Sequence, residues 1–316
     1  MRISKELEEK IYSLYLSFKE SSLADARENL TNKYKSNNSS GKSLIENRQE
    51  SSLYAVTRMP ATFVVLKTLV SDLIEQGHLQ NILSAIDIGA GTGAGYFALS
   101  DCYDKIDIEL VERDNNMLFV LNNLIPNSKI TKSDIVKDNI NLKADLIMSS
   151  YVLNELAEED RINVLKKMLE MSNKYVLLVD SGTPKTYESM MKLKEKIKEF
   201  RAKVVAPCMT DICPLKNDYC QFYARVERSS LLRQSKSAFL PYEDEKYFYL
   251  LIEKQTENES DKDDAENIRV IRRPIIKPNA IEIVTCTYYG VVKQIVTKKD
   301  KEKFKHAKKI KINELL

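Results

Sequence analysis

Two sets of residues in this 316-residue chain have types and spacing that can do chemistry. The first is Asp87, Gly89, Gly91 and Gly93, within the run Ile86-Asp87-Ile88-Gly89-Ala90-Gly91-Thr92-Gly93. Glycines there let the backbone curl tightly and admit a ligand where a Cβ would otherwise stand. The start of the helix that follows offers free N–H groups and a partial positive charge to an anionic group, while the Asp87 carboxylate suits a cationic one. The second set is Cys208, Cys213 and Cys220, with Cys286 far downstream. Three thiols on an irregular segment stiffened by Pro207 and Pro214, plus one from a remote strand, are how a tetrahedral metal or cluster site is assembled. The intervals of four and six residues are wider than the two-residue knuckles typical of zinc. Wide spacing suits a 4Fe–4S cube, yet spacing alone leaves zinc and iron both open. Cys102 stands apart and reads as a structural thiol.

Two cofactor classes use a glycine turn after a strand. The dinucleotide pattern G-x-G-x-x-G/A fits Gly89, Gly91 and Ala94 loosely. The D-x-G-x-G-x-G pattern of S-adenosylmethionine (SAM) methyltransferases is matched at every place by Asp87, Gly89, Gly91 and Gly93. SAM has no pyrophosphate but carries a sulfonium and an ammonium, so a carboxylate at the turn favours it. Glu112 lies 25 residues beyond Asp87, the spacing of an acid that accepts from ribose hydroxyls. Asp134 is placed to accept from the adenine amino group, and Ser150 ends a further strand beside the same site. The stretch after it, Tyr151-Val152-Leu153-Asn154-Glu155-Leu156, lacks the acid-or-Asn, Pro-Pro, aromatic arrangement of amino-group methyltransferases. It also lacks the Pro-Cys of cytosine-carbon enzymes, so no acceptor atom is named. Asn154 and Glu155 read as capping the next helix.

For these side chains to meet, they must stand at the same ends of neighbouring strands. Residues 82–88, 106–112, 129–134, 144–151 and 174–180 read as strands, the last almost wholly apolar as a central parallel strand is. Residues 115–124, 158–171 and 186–200 read as helices between or after them. Such alternation implies an α/β fold with a doubly wound, Rossmann-like parallel sheet, and ligands beyond the carboxyl ends of its strands. Upstream, residues 3–35 read as helical and residues 35–48 as a polar loop; a helix then starts at Pro60 and ends at Gly77. After residue 203 the alternation stops. Residues 247–253, 268–276 and 281–298 read as strands, the last two antiparallel, with an acidic loop at 256–266. A smaller β-rich module bearing the cysteines is therefore expected.

Composition narrows the function classes. Hydrophobic residues make up 43% of the chain, and no run approaches the roughly 18–20 apolar residues of a membrane span. Five cysteines, an odd count, argue against a secreted disulfide framework. The first residues mix Glu6, Glu8 and Glu9 with basic ones, unlike a signal or transit peptide, so a cytoplasmic protein is expected. Net charge is only +3, so nucleic-acid binding must use local patches. Eight lysines between Lys298 and Lys311, with Arg225, Arg228, Arg233, Lys236, Arg269, Arg272 and Arg273, offer an RNA-facing surface.

Further motifs follow in order: Arg58-Met59-Pro60-Ala61-Thr62, the glycine turn, Ser150 to Leu156, Gly182-Thr183-Pro184, Ala206-Pro207-Cys208, Cys213-Pro214-Leu215, Tyr242 to Tyr247 and Arg269-Val270-Ile271-Arg272-Arg273-Pro274. Over about residues 50–310 the chain resembles the small-ribosomal-subunit-associated, methyltransferase-like family of mitochondria and alphaproteobacterial-type bacteria. The resemblance implies a role in maturation of the small ribosomal subunit, binding to its RNA, and a 4Fe–4S cluster on Cys208, Cys213, Cys220 and Cys286. It implies either a SAM-dependent rRNA methyltransferase or a non-catalytic iron–sulfur assembly factor that keeps the SAM-binding fold. The expected divisions are an N-terminal helical region (1–57), a SAM-methyltransferase-like domain (58–203), a β-rich iron–sulfur module (204–298) and a basic tail (299–316). A monomer is expected, in the bacterial cytoplasm, or in the mitochondrial matrix for a processed eukaryotic form.

Overall fold

The computed structural model describes residues 1–18, 23–36, 44–208, 210–236, 238–255 and 268–316. Four helices come first: α1 (Lys5–Leu16), α2 (Leu23–Ser36), α3 (Arg48–Thr57) and α4 (Met59–Glu75). Ser4 caps α1 and Asn47 caps α3, each accepting from a backbone N–H in the first turn. Pro60 sits in the first turn of α4, where its missing N–H costs nothing. Expected as one helical stretch, residues 3–35 form two helices, and the 35–48 loop is described only from residue 44 onward. Among the described residues, no single helix is long and apolar enough to cross a membrane. The apolar face of α4 is buried in the core instead.

The alternating region follows as β1 (Ser84–Ile88), α5 (Ala94–Cys102), β2 (Asp107–Glu112), α6 (Asn115–Leu124), β3 (Lys129–Lys132), β4 (Ala144–Ser150), α7 (Glu158–Met171), β5 (Ser172–Ser181) and α8 (Pro184–Ile197). Strands β3, β2, β1, β4 and β5 lie side by side, all parallel. This is the doubly wound, Rossmann-like parallel sheet that the alternation implies. Buried Val176, Leu177, Leu178 and Val179 make β5 apolar on both faces, as a strand with cover on each side must be.

The remaining elements are β6 (Ala202–Ala206), β7 (Phe222–Glu227), α9 (Ser230–Ser235), β8 (Tyr242–Lys254), β9 (Arg269–Val270), β10 (Ile275–Ile276), β11 (Ala280–Thr287), β12 (Gly290–Thr297) and α10 (Lys301–Ala307). They do not form one module. Strand β8 runs antiparallel along β5, and its other edge pairs with β6 at one end and β7 at the other. Residues 202–254 thus extend the main sheet to eight strands. The cause is visible in β8, where Tyr247 to Ile252 are all fully buried and need partners on both sides. A separate sheet holds β10, β11 and β12 antiparallel, with β9 also on β11. The basic tail is part of this second unit. Phe304 and Ala307 of α10 pack on Val270, Ile281 and Ile283 in a small core of their own. The acidic loop expected at 256–266 lies outside the described residues.

Candidate functional site

At the carboxyl ends of β1, β2 and β4 lies a cavity of about 140 Å³, lined in part by Gly89, Gly91, Glu112, Asp134 and Ser150. Gly89 has φ +71° and Gly91 φ +56°, the left-handed region that glycine enters freely. A Cβ on Gly89 would stand 2.4 Å from a methyl of Val152, so the wall admits no side chain there. Gly93 and Asp87 do not line the cavity. Gly93 (φ +83°) turns the chain into α5, and a Cβ there would lie 2.7 Å from Ile125.

Asp87 sits behind the turn, 1% exposed, close against Gly95, where a Cβ would come within 2.2 Å of its Oδ2. Neither carboxylate oxygen has a hydrogen-bond partner among the described residues. Burial, helped by the like charge of Glu112, raises its pKa to about 7. Burying a carboxyl without partners is costly. Behind the glycine cradle and the adjoining cavity, a carboxyl of this kind suits a cationic ligand. SAM has that chemistry, so the residues present fit it.

Glu112, 6% exposed, ties the turn to β2. Its Oε2 accepts from Gly91 N (2.9 Å), and its Oε1 accepts from Arg113 N (2.7 Å) and Asp114 N (2.8 Å). Oε1 is fully used by its two bonds, while Oε2 keeps one lone pair with which to accept from a ribose hydroxyl. Asp134 is more committed. Its carboxylate accepts from Val136 N (3.0 Å) and from Arg113 (3.2 Å).

Three features here escaped sequence reasoning. Leu44 and Ile45, from the segment before α3, and Tyr54 of α3 close one side of the cavity. Tyr151 has φ +59°, rare for an aromatic residue, and its hydroxyl is buried without a partner among the described residues. Asn154 and Glu155 do not cap α7. They lie in a one-turn 3-10 helix (Leu153–Glu155), and the position before α7 is Ala157, with no side-chain cap. Asn154 instead donates to Asp180 through its backbone (3.2 Å) and its amide (2.6 Å). Glu155 lines the cavity and stays exposed at its mouth; desolvation by the protein around it raises its pKa to about 7.

Cys208, Cys213 and Cys220 lie in the segment between β6 and β7 and Cys286 lies on β11, and the four line one small cavity together with Tyr187 and Lys194 of α8. All are free thiols. Tyr187 Oη is 3.0 Å from Cys213 Sγ. Burial pushes the Cys208, Cys220 and Cys286 thiols up, Cys286 to about 11, while Lys194 and Arg269 oppose this at Cys208 and Cys286. No three His, Cys, Asp or Glu among the described residues are grouped closely enough to hold a metal ion, so neither zinc nor a cluster finds a ready-made site there. Lys194 is buried, donates to the Thr210 carbonyl (2.6 Å) and forms no ion pair among the described residues. A buried ammonium of that kind needs negative charge nearby, which thiolates supply and neutral thiols do not.

The expected basic surface is only partly present. Arg269 is fully buried, its guanidinium bonded to Gln76 (2.8 Å) and to the Asn313 carbonyl (3.0 Å), so it joins the chain end to α4. Arg225 pairs with Asp244, Arg228 and Lys236 with Glu243, and Arg272 with Asp218. The lysines of the last segment are exposed.

Comparison with known proteins gives one family. The family model described as "Mitochondrial small ribosomal subunit Rsm22" matches residues 48–315. A trans-aconitate 2-methyltransferase of Agrobacterium fabrum is 28% identical over 99 residues, 31% of this chain and 38% of that protein, so the match spans well under half of the relative. Among solved structures, the plantazolicin methyltransferase BpumL in complex with SAH superposes with a TM-score of 0.44 at 15% identity, over 79% of this chain and 100% of the other. A putative RNA methyltransferase, PH1948 from Pyrococcus horikoshii, gives 0.41 at 14% identity, over 63% and 93%.

Proposed function

The chain belongs to the family described as mitochondrial small ribosomal subunit Rsm22, and from that premise we propose that it is a SAM-dependent methyltransferase acting on the RNA of the small ribosomal subunit during its maturation. The observation that carries the SAM reading is the unpartnered Asp87 carboxylate behind an open glycine cradle. SAM supplies the methyl group. Gly89 and Gly91 admit it, Glu112 accepts from its ribose, and Asp87 balances its positive charge from behind the turn. Asp134 and Ser150 flank the adenine and the methionine chain. Gly93 acts by starting α5.

On the same reading Cys208, Cys213, Cys220 and Cys286 hold a 4Fe–4S cluster, with Lys194 balancing its negative charge. The cluster staples β11 to the segment after β6, joining the small sheet to the large one. The exposed lysines from Lys298 to Lys311 meet the RNA backbone. The protein then resides with the small subunit, in the mitochondrial matrix or, for a bacterial chain, in the cytoplasm.

The test uses anaerobically prepared protein, methyl-labelled SAM and immature small subunits from cells lacking it. Label that sediments with the RNA and disappears with Asp87→Ala supports the enzyme. Protein on the particle without label supports the second reading, an iron–sulfur assembly factor on a methyltransferase scaffold. That reading draws on the missing amino-group and Pro-Cys acceptor motifs after β4. If neither protein nor label travels with the particle, the ribosomal assignment fails.

A further inference from the structure

A second and larger cavity, of about 600 Å³, adjoins the turn cavity and shares Leu44, Tyr54, Tyr151 and Glu155 with it. We propose that this second cavity is the acceptor site, and that it takes a single nucleotide turned out of its RNA strand, with its base against Tyr54 and Tyr151 and its amino nitrogen at Glu155. The inference rests on reading the first cavity as the place of the methyl donor.

The two cavities meet at Tyr151 and Glu155, so a group in one lies next to a group in the other there. That is the arrangement a transfer between two bound molecules needs. The chemistry of the second cavity is that of a nucleotide. Tyr54 and Tyr151 offer ring faces, on which any base stacks. Arg27, Arg58 and Lys236 line the same space. Arg58 is paired with Glu245 at 3.2 Å and Lys236 with Glu243, which fixes both while leaving N–H groups for a phosphate. Thr31 and Ser181 add hydroxyls at the scale of a ribose. A base inside a duplex cannot reach such a pocket, so it must be unstacked first. Tyr151 holds a positive φ, rare for an aromatic residue, where the two cavities meet.

Glu155 serves as the proton acceptor. The base amino nitrogen gives its electron pair to the methyl carbon, forming the N–C bond. The carbon–sulfur bond breaks, its pair goes to sulfur, and the amino proton passes to the Glu155 carboxylate. Elevation of the Glu155 pKa to about 7 matches a general base at neutral pH.

The experiment uses the full chain loaded with S-adenosylhomocysteine, and adenosine or cytidine 5′-monophosphate as probes in saturation-transfer NMR. Transfer to the base protons is expected with the native protein and is lost in Thr31→Trp, which fills the second cavity alone. Binding of S-adenosylhomocysteine is unchanged in that variant, which also shows that it is folded. Glu155→Gln keeps nucleotide binding, while methyl transfer to RNA falls at least ~100-fold. If S-adenosylhomocysteine does not bind the native protein, the reading of the first cavity has failed. If it binds and neither nucleotide shows transfer, or Thr31→Trp leaves the signal intact, the acceptor assignment is overturned. Methyl label found on a ribosomal protein rather than RNA also overturns it.

Discussion

At the scale of single residues, Asp87 is a buried carboxyl with no hydrogen-bond partner among the described residues. Its folded pKa of about 7 stands well above the roughly 3.9 of an unfolded chain. The native state therefore holds this proton more tightly than the unfolded one. The stability it contributes is complete below about pH 4 and is lost as pH rises through 7. Thermal stability of the ligand-free protein is expected to fall between about pH 4 and 7 and to level off above that. Asp87→Asn should show a shallower slope, the rest coming mainly from Asp180 and Asp72, whose carboxyls burial raises to about 6. A cationic ligand favours the ionised form, so SAM affinity should rise from pH 6 to 8, by up to ~10-fold per pH unit below 7. Calorimetry on native protein and Asp87→Asn measures both effects; an equally steep affinity profile in the variant would remove Asp87 from the site.

At the scale of elements, the turn between β1 and α5 works through backbone shape. Gly89→Ala combines a positive φ with a Cβ 2.4 Å from Val152, and the left-handed conformation alone costs an L-residue about 1–2 kcal/mol. Urea unfolding should show at least that loss, with SAM binding weakened as Val152 is pushed away. A loss confined to stability would mean that the cradle does not touch the ligand. The cysteine segment offers a second test at this scale. Cys213→Ser should lose bound iron, measured by absorbance and metal analysis of anaerobic protein, and should expose residues between β6 and β7 to proteolysis. Unchanged metal content would exclude the four-thiol cluster.

At the scale of the whole molecule, two sheets are joined by few links. Cys286 on β11 reaches the cavity it shares with Cys208, Cys213 and Cys220, and Arg269 at the start of β9 reaches Gln76 and Asn313. The second sheet carries the exposed lysines on one helix and its flanks. If these meet RNA phosphates, binding to the immature subunit should weaken steeply with salt. Replacing Lys303, Lys305, Lys308 and Lys309 by Gln should lower the slope of log K against log salt by up to ~3–4. Equal slopes in filter binding would place the RNA elsewhere. The pairing of Arg225, Arg228 and Arg272 with acids means that these arginines contribute less than their number in the chain suggests.

What the sequence alone determined is what depends on near neighbours. The Asp87–Gly93 run specifies a strand, a left-handed turn and a helix, because glycine stereochemistry acts within a few residues. Apolar periodicity gave β1, β2, β4, β5 and the helices α6 and α7 nearly to their ends. The four thiols could be chosen by type and spacing, and they do line one cavity. Only the tertiary structure decided the rest. The run from Tyr247 to Ile252 reads as a strand wherever it lies. Burial of both its faces put it beside β5, dividing residues 204–298 between two sheets. Arg269 looks like a surface cation until Gln76 and Asn313, from opposite parts of the chain, enclose it. The junction of two cavities at Tyr151 and Glu155 has no local signature, since it forms where α2, α3 and the end of β4 converge. Contacts between residues far apart in the chain set burial, charge state and the space for a ligand, and no window of neighbouring residues contains them.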